Sequence, residues 1–170
     1  MRTGISYPTK TIMDNVSFSA YLDLGRISLQ TDVSSEKRVF ELLGELLATD
    51  LVDITATQIS EGLVARERLG TTALGAGMAI PHCRVDNIEK IRCAIIKLDH
   101  PVDFDANDGQ PVSFICALLV PSEADDEHLE ALACLAEFLS DQTNREALIS
   151  AQSAQELLDI FIQKIDKNAA

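Results

Sequence analysis

Hydrophobic residues recur with two different periods near the start of the chain. Ile27, Leu29 and Thr31 alternate with polar residues, which predicts a short strand. Ser34 and Ser35 then offer a helix cap. Apolar residues follow at positions 39, 42, 43, 46 and 47, which is helical spacing, so we expect this helix to pack on the core.

A second helix is predicted by the capping pattern Thr55-x-x-Gln58 and by the apolar residues after it. Gly70 is the expected end of that helix. Residues 70–85 contain three glycines, which predicts a loop that extends into the short apolar segment 78–80.

Two apolar segments in the middle of the chain predict strands. They span residues 91–98 and 112–120, and residues 103–109 form a turn-rich connection between them. The second segment is almost continuously apolar, as expected for a strand covered on both faces.

The last third of the chain is predicted to be helical. Residues 127–139 place leucines and alanines along one stripe. The patterns Thr143-x-x-Glu146 and Ser153-x-x-Glu156 are capping boxes that open two further helices.

The order of these elements predicts one α/β domain, because helices precede and follow a cluster of strands. We expect a single-domain sandwich with a central mixed β-sheet flanked by helices. No internal repeat or linker divides the chain. The expected domain spans residues 23–166, with an N-terminal arm at 1–22 and a C-terminal tail at 167–170.

Charge and hydropathy narrow the classes of partner. The formal net charge is −13, which opposes binding to nucleic acid or to anionic lipid and suits a basic protein partner. The alternative is that the acidity serves solubility alone. No apolar run approaches the roughly 20 residues that span a bilayer, and no signal-peptide core is present. We therefore expect a cytoplasmic protein without membrane insertion.

The four cysteines predict thiols and not a disulfide framework. Cys93, Cys116 and Cys134 lie in strongly apolar segments and are expected in the core. Cys83 differs, because it follows a histidine in a stretch that resembles a loop.

His82 is the first candidate for chemistry. Pro81 has a fixed φ and favours extended backbone at Ile80, so His82 is expected at a rigid strand end. Spacing alone also permits an ordinary loop histidine without any chemical role.

His128 is the second candidate. It shares the inward-facing stripe of the helix that contains it, and the positive end of the helix dipole favours a neutral ring there. It could equally be a helix-start residue whose hydrogen bonds are satisfied locally. His100 precedes a proline and is expected in a turn, with no chemistry.

The common cofactor and metal motifs are incomplete. Residues 70–77 lack the ending of a P-loop and the full dinucleotide fingerprint. Asp103, Asp105 and Asn107 resemble the start of a calcium loop, but its glycine comes one place late and Phe114 replaces the required glutamate. His82 and Cys83 lack a second pair at zinc-ligand spacing. We predict neither a metal nor a cofactor.

Three segments, taken in order, resemble a known family. They are RERLGTTALGAGMAIPHCR, KLDHPVDFDANDGQPVSFICALLVP and DEHLEALACLAEFL, within a likeness that spans about residues 23–165. The chain resembles the IIA domains of the mannitol–fructose class of the sugar phosphotransferase system, and above all the nitrogen-regulatory branch. Many members have glycine after the Ile-Pro-His motif, where this chain has Cys83.

The resemblance implies a mixed sheet flanked by helices and a phosphorylatable histidine, which is His82 here. It implies that His128 is the second active-site histidine and that Arg66 is the arginine at the end of the second helix. The implied donor is a phosphohistidine on HPr or its nitrogen-branch counterpart, so no metal or nucleotide is needed.

The sequence is compatible with three functions. The first is a regulatory phosphocarrier whose phosphorylation state selects partners such as ion-transport regulators or sensor kinases. The second is a transport component that passes the phosphoryl group to a IIB domain for fructose or mannitol. The absence of a IIB or membrane part favours the first. The third is a non-catalytic binding module, against which His82, His128 and Arg66 argue.

Overall fold

A computed structural model describes residues 17–124 and 126–166, apart from the Gln30 side chain. Within these ranges the chain forms six strands and five α-helices, and none of these helices is long and apolar enough to cross a membrane. Their bounds in chain order are β1 Ile27–Thr31, α1 Glu36–Leu47, α2 Ala56–Glu67, β2 Ala73–Gly75, β3 Met78–Ala79, β4 His82–Val85, β5 Arg92–Val102, β6 Val112–Pro121, α3 Asp126–Ser140, α4 Gln142–Ser150 and α5 Ala154–Phe161.

The sheet has the strand order β1-β5-β6-β3-β2, and β4 also pairs with β6. β1 is parallel to β5, and β3 and β4 are parallel to β6, whereas β5 is antiparallel to β6 and β2 is antiparallel to β3. The predicted single-domain fold with a mixed sheet is therefore confirmed.

Two hydrophobic cores lie on opposite faces of the sheet, and β6 contributes to both. Phe114, Cys116 and Leu118 belong to the core under α3, α4 and α5, while the alternate residues belong to the core under α1 and α2. Because successive side chains of a strand point to opposite faces, a strand covered on both faces needs apolar residues at nearly every position. This explains the continuous apolar run in the sequence.

Aromatic side chains before residue 23 are buried in the core. Phe18 and Tyr21 lie in a short 3₁₀-helix, Phe18–Tyr21, and both are buried. The Phe18 ring stacks on Phe161 at a centroid distance of 5.6 Å and meets Tyr21 edge-on at 5.5 Å. Phe18, Tyr21 and Leu22, expected in the arm, therefore belong to the core, whereas residues 1–16 and the predicted tail 167–170 lie outside the described residues.

The predicted caps at the starts of α1 and α2 are confirmed. The Ser35 side chain accepts the Arg38 N–H at the start of α1, and Thr55 and Gln58 complete a capping box at the start of α2. The prediction for α4 was wrong, because Asp141 caps it and Thr143 lies inside the helix. An aspartate two residues earlier accepts the free N–H of Asn144 and so begins the helix sooner.

The predicted loop at 70–85 and the predicted turn at His100 were also wrong in detail. The first segment contains the three short strands β2, β3 and β4, and His100 lies in β5. β5 pairs irregularly with β6 between Lys97 and Val102. An irregular pairing accommodates Pro101, because this residue has no N–H to donate to the neighbouring strand. The strand therefore continues past Pro101.

Candidate functional site

His82 is the first residue of β4, and the strand pairing fixes its backbone. It lies opposite Leu118 of β6, and the Leu118 N–H donates to the carbonyl of Pro81 at 2.9 Å. The half-buried ring places Nδ1 2.8 Å from the carbonyl oxygen of Ile80. Since a carbonyl only accepts hydrogen bonds, Nδ1 carries the proton, and Nε2 of the neutral ring keeps a lone pair.

His128 is buried beside His82 near the start of α3. The two ring centroids are 5.7 Å apart, with an edge-on angle of 65°. His128 is only 7% exposed, and neither of its ring nitrogens has a hydrogen-bond partner among the described residues. A buried imidazole without partners can donate a hydrogen bond to a group that arrives at the neighbouring ring.

The surroundings of both histidines favour the neutral ring. Burial lowers the pKa of His82 below its usual value, and the charge of Arg66 lowers it further, against the raising effects of the Ile80 carbonyl and of Glu67. Burial also lowers the pKa of His128, with further lowering by Arg84 and by His82. A neutral ring is the form that retains a nucleophilic nitrogen.

The segment that leads into α3 is tied directly to β4. The Ser122 N–H donates to the carbonyl of Val85 at 2.9 Å, and Arg84 donates to the carbonyl of Ser122 at 3.1 Å. The Ser122 hydroxyl also donates to Asp86. These contacts connect the strand that carries His82 with the segment before the helix that carries His128.

Arg66 lies in the last turn of α2, which is the position that the resemblance implies. Its guanidinium donates to the carbonyl of Gly70 at 2.8 Å, which orients the side chain along the loop after the helix. Its charge lowers the pKa of His82, so it acts on the candidate nucleophile. The structure thus brings His82 and His128 together and places Arg66 within electrostatic reach.

Three residues near the site were missed or misread in the sequence. Arg84 alternates with His82 on β4, a spacing that could have identified it. No sequence pattern identified Glu67, which is next to Arg66. Cys83 lies in a strand and not a loop, and it packs against Gly62 of α2. Burial raises the pKa of the Cys83 thiol to about 12, so it is a core thiol.

Known proteins share both the sequence and the fold of this chain. The family model described as "Phosphoenolpyruvate-dependent sugar phosphotransferase system, EIIA 2" matches residues 20–164. A nitrogen regulatory protein of Pseudomonas aeruginosa is 44% identical over 138 residues, which cover 81% of this chain and 90% of that protein. The fructose-specific EIIA component of the phosphotransferase system of Haloferax volcanii is 30% identical over 155 residues, 91% of this chain and 100% of that protein.

A solved structure agrees with these relatives. The crystal structure of the nitrogen regulatory protein IIA-Ntr from Neisseria meningitidis superposes with a TM-score of 0.80 at 43% identity, covering 85% of this chain and 98% of that one. The chain therefore belongs to the EIIA 2 family of the phosphoenolpyruvate-dependent sugar phosphotransferase system, and it is similar to the nitrogen regulatory members of that family.

Proposed function

We propose that this protein is a cytoplasmic phosphoryl carrier that accepts a phosphoryl group on His82 and regulates partner proteins through its phosphorylation state. The observation that carries the proposal is the pairing of a neutral His82, protonated on Nδ1, with a buried His128 whose ring nitrogens have no partner in the described part of the chain. The donor is HPr or a similar phosphohistidine carrier. The nitrogen regulatory relatives support the regulatory role.

The transfer exchanges one phosphorus–nitrogen bond for another. The lone pair on Nε2 of His82 attacks phosphorus, and the bond to the donor's imidazole nitrogen breaks, returning its electron pair to that nitrogen. The proton of His82 stays on Nδ1 throughout, where it is donated to the Ile80 carbonyl. Such transfers depend mainly on positioning and on stabilising the negative charge of the phosphoryl oxygens.

His128 and Arg66 supply that stabilisation in the proposed mechanism. A ring N–H of His128 donates a hydrogen bond to a phosphoryl oxygen, which gives its unpartnered nitrogen a partner. Arg66 contributes a permanent positive charge near His82. Donors that are already oriented before the reaction cost no reorganisation when charge develops. The chemistry requires neither a metal nor a nucleotide.

Incubation with phosphoenolpyruvate, enzyme I and HPr tests the proposal. We expect intact-mass measurement to detect one added phosphoryl group that is labile in acid and stable in base. A wild-type protein that gains no mass, while a known IIA protein in the same mixture does, would contradict the proposal and favour the non-catalytic binding module.

A second candidate is a IIA component of sugar transport that passes the phosphoryl group to a IIB domain. The match to a fructose-specific EIIA component favours it. The two candidates separate after the first transfer, because only the transport component hands the group rapidly to a IIB domain. Rapid loss of label to a fructose or mannitol IIB protein would replace the regulatory proposal.

The acidic surface next to His128 provides a test of how the carrier docks. Glu123 and Asp126 are exposed, and Asp125 between them lies outside the described residues. Exposed leucines, Leu69 and Leu129, lie on the segments that follow Arg66 and His128. A basic carrier with an apolar centre would meet both kinds of residue, with the charges accelerating encounter.

We expect the phosphorylation rate at limiting carrier to fall roughly ten-fold between 0.1 M and 1 M salt. Neutralising residues 123, 125 and 126 should weaken this salt dependence, while Glu127 is kept because it accepts a hydrogen bond from Tyr21. The control is Glu45→Gln with Asp53→Asn, which removes exposed charge from another part of the surface. Stopped-flow transfer rates would be measured across this salt range for the wild type, the variant and the control. An equal salt dependence in all three proteins would exclude residues 123, 125 and 126 from the docking surface.

A further inference from the structure

Glu67 ends α2 and organises the loop that follows it. Its carboxylate accepts the Thr72 N–H at 3.0 Å and the Thr72 hydroxyl at 2.5 Å. The Thr71 hydroxyl lies 3.0 Å from the same carboxylate and 2.7 Å from the carbonyl of Phe104, and it has one proton to donate. Thr72 itself is only 5% exposed. The carboxylate thus fixes a buried residue by two different groups.

Two further hydrogen bonds lead from Thr72 to His82. The carbonyl of Thr72 accepts the Ile80 N–H at 3.1 Å, and the carbonyl of Ile80 accepts Nδ1–H of His82 at 2.8 Å. Ile80 is therefore held at its N–H by the Thr72 loop and at its carbonyl by the histidine. Pro81 lies between Ile80 and His82 and restricts the backbone there.

We propose that Glu67 is a positioning residue for His82: through Thr72 and Ile80 it holds the ring in the Nδ1–H tautomer, which leaves Nε2 free to accept the phosphoryl group. The expected effect on phosphoryl transfer rests on the proposed function. The structural part of the inference, the tautomer, stands on the hydrogen bonds alone. Outer partners that orient a reactive imidazole and select its tautomer are a recurrent device in protein sites.

A purely structural role for Glu67 makes a different prediction. If the carboxylate only anchors the end of α2, its loss lowers stability and leaves the His82 ring unchanged. If it positions His82, its loss releases the Ile80 carbonyl and the ring then populates both tautomers. The tautomer is thus a readout that a merely structural role would not move.

The test compares Glu67→Gln with Glu61→Gln by nitrogen NMR of histidine-labelled protein. Glutamine keeps the size of the side chain but has one acceptor oxygen where Glu67 uses two. Glu61 is an exposed glutamate on the same helix, so its variant changes the charge equally. We expect a protonated Nδ1 at His82 in wild type and Glu61→Gln, and a mixture of tautomers in Glu67→Gln.

The phosphorylation rate provides the second measurement. We expect Glu67→Gln to react roughly 10- to 100-fold more slowly than Glu61→Gln, since small displacements of a reacting group have effects of that order. Thr72→Val removes one donor from the same chain of hydrogen bonds and should change the tautomer and the rate in the same direction. If Glu67→Gln fails to fold, the tautomer and the rate of Thr72→Val test the inference.

Two results would overturn the inference. One is a wild-type tautomer at His82 in both Glu67→Gln and Thr72→Val, whatever their rates. The other is a changed tautomer with an unchanged rate of phosphorylation. A wild-type protein that takes no phosphoryl group contradicts the proposed function instead, and the tautomer measurement still decides whether Glu67 positions the ring.

Discussion

His82→Ala should gain no phosphoryl group under conditions in which the wild-type protein gains one. The variant lacks the only imidazole whose Nδ1 is held by the Ile80 carbonyl, and with it the Nε2 lone pair. His128 cannot easily replace it, because that ring is 7% exposed and a phosphoryl donor would have to reach it through the site. Intact mass after incubation with phosphoenolpyruvate, enzyme I and HPr measures the result.

His100→Ala is the matched control for that experiment. His100 is exposed near the end of β5, so its removal changes the histidine count and leaves His82 and His128 in place. It should label as fully as wild type. A phosphoryl group that persists in His82→Ala, or that disappears in His100→Ala, would assign the modification to another residue. An unchanged denaturation midpoint for His82→Ala would show that lost labelling is not lost folding.

The elements that depend on local sequence could be predicted, and α2 is the clearest example. Its start depends on a reciprocal pair of hydrogen bonds between Thr55 and Gln58, three residues apart in the chain. Its apolar residues then follow with the helical period, so cap and period agree. Asp141 was missed because the pattern beginning at Thr143 satisfies the same rule two residues later.

The elements that depend on distant partners could not be predicted in this way. β3 has only two residues, and they become a strand because Phe114 and Ile115 of β6 lie beside them. No period can be read from two residues, and strand formation there reflects pairing more than propensity. The packing of Phe18 on Phe161 is likewise a contact between opposite ends of the described chain.

The members of the candidate site stay a prediction from the sequence, and their arrangement comes from the structure. His82, His128 and Arg66 came from the resemblance to the family, whereas spacing alone left each histidine with an ordinary structural explanation. The structure adds the Nδ1 contact to Ile80, and it shows that the His128 nitrogens have no partner among the residues it describes. Glu67 could not be found, because its contacts to Thr72 depend on how the loop after α2 folds back.

His128→Ala should fold and should be phosphorylated on His82 about 10²- to 10³-fold more slowly than wild type. Loss of one oriented donor to developing negative charge has effects of that size where it has been measured. His128 is suited to be that donor, because its ring centroid lies 5.7 Å from that of His82 and neither nitrogen has a partner within residues 17–124 and 126–166. Rapid-quench kinetics at saturating carrier measure the chemical step apart from docking.

The stability of His128→Ala separates a chemical role from a structural one. The substitution removes buried ring atoms, which destabilises the protein by leaving a cavity. It also removes two polar nitrogens that have no partner among the described residues, which offsets that cost. We therefore expect the free energy of unfolding to change little while the rate falls steeply. His128→Gln restores an N–H donor in the same place and should recover part of the rate. A large loss of stability with normal kinetics would make His128 a core residue that merely contacts His82.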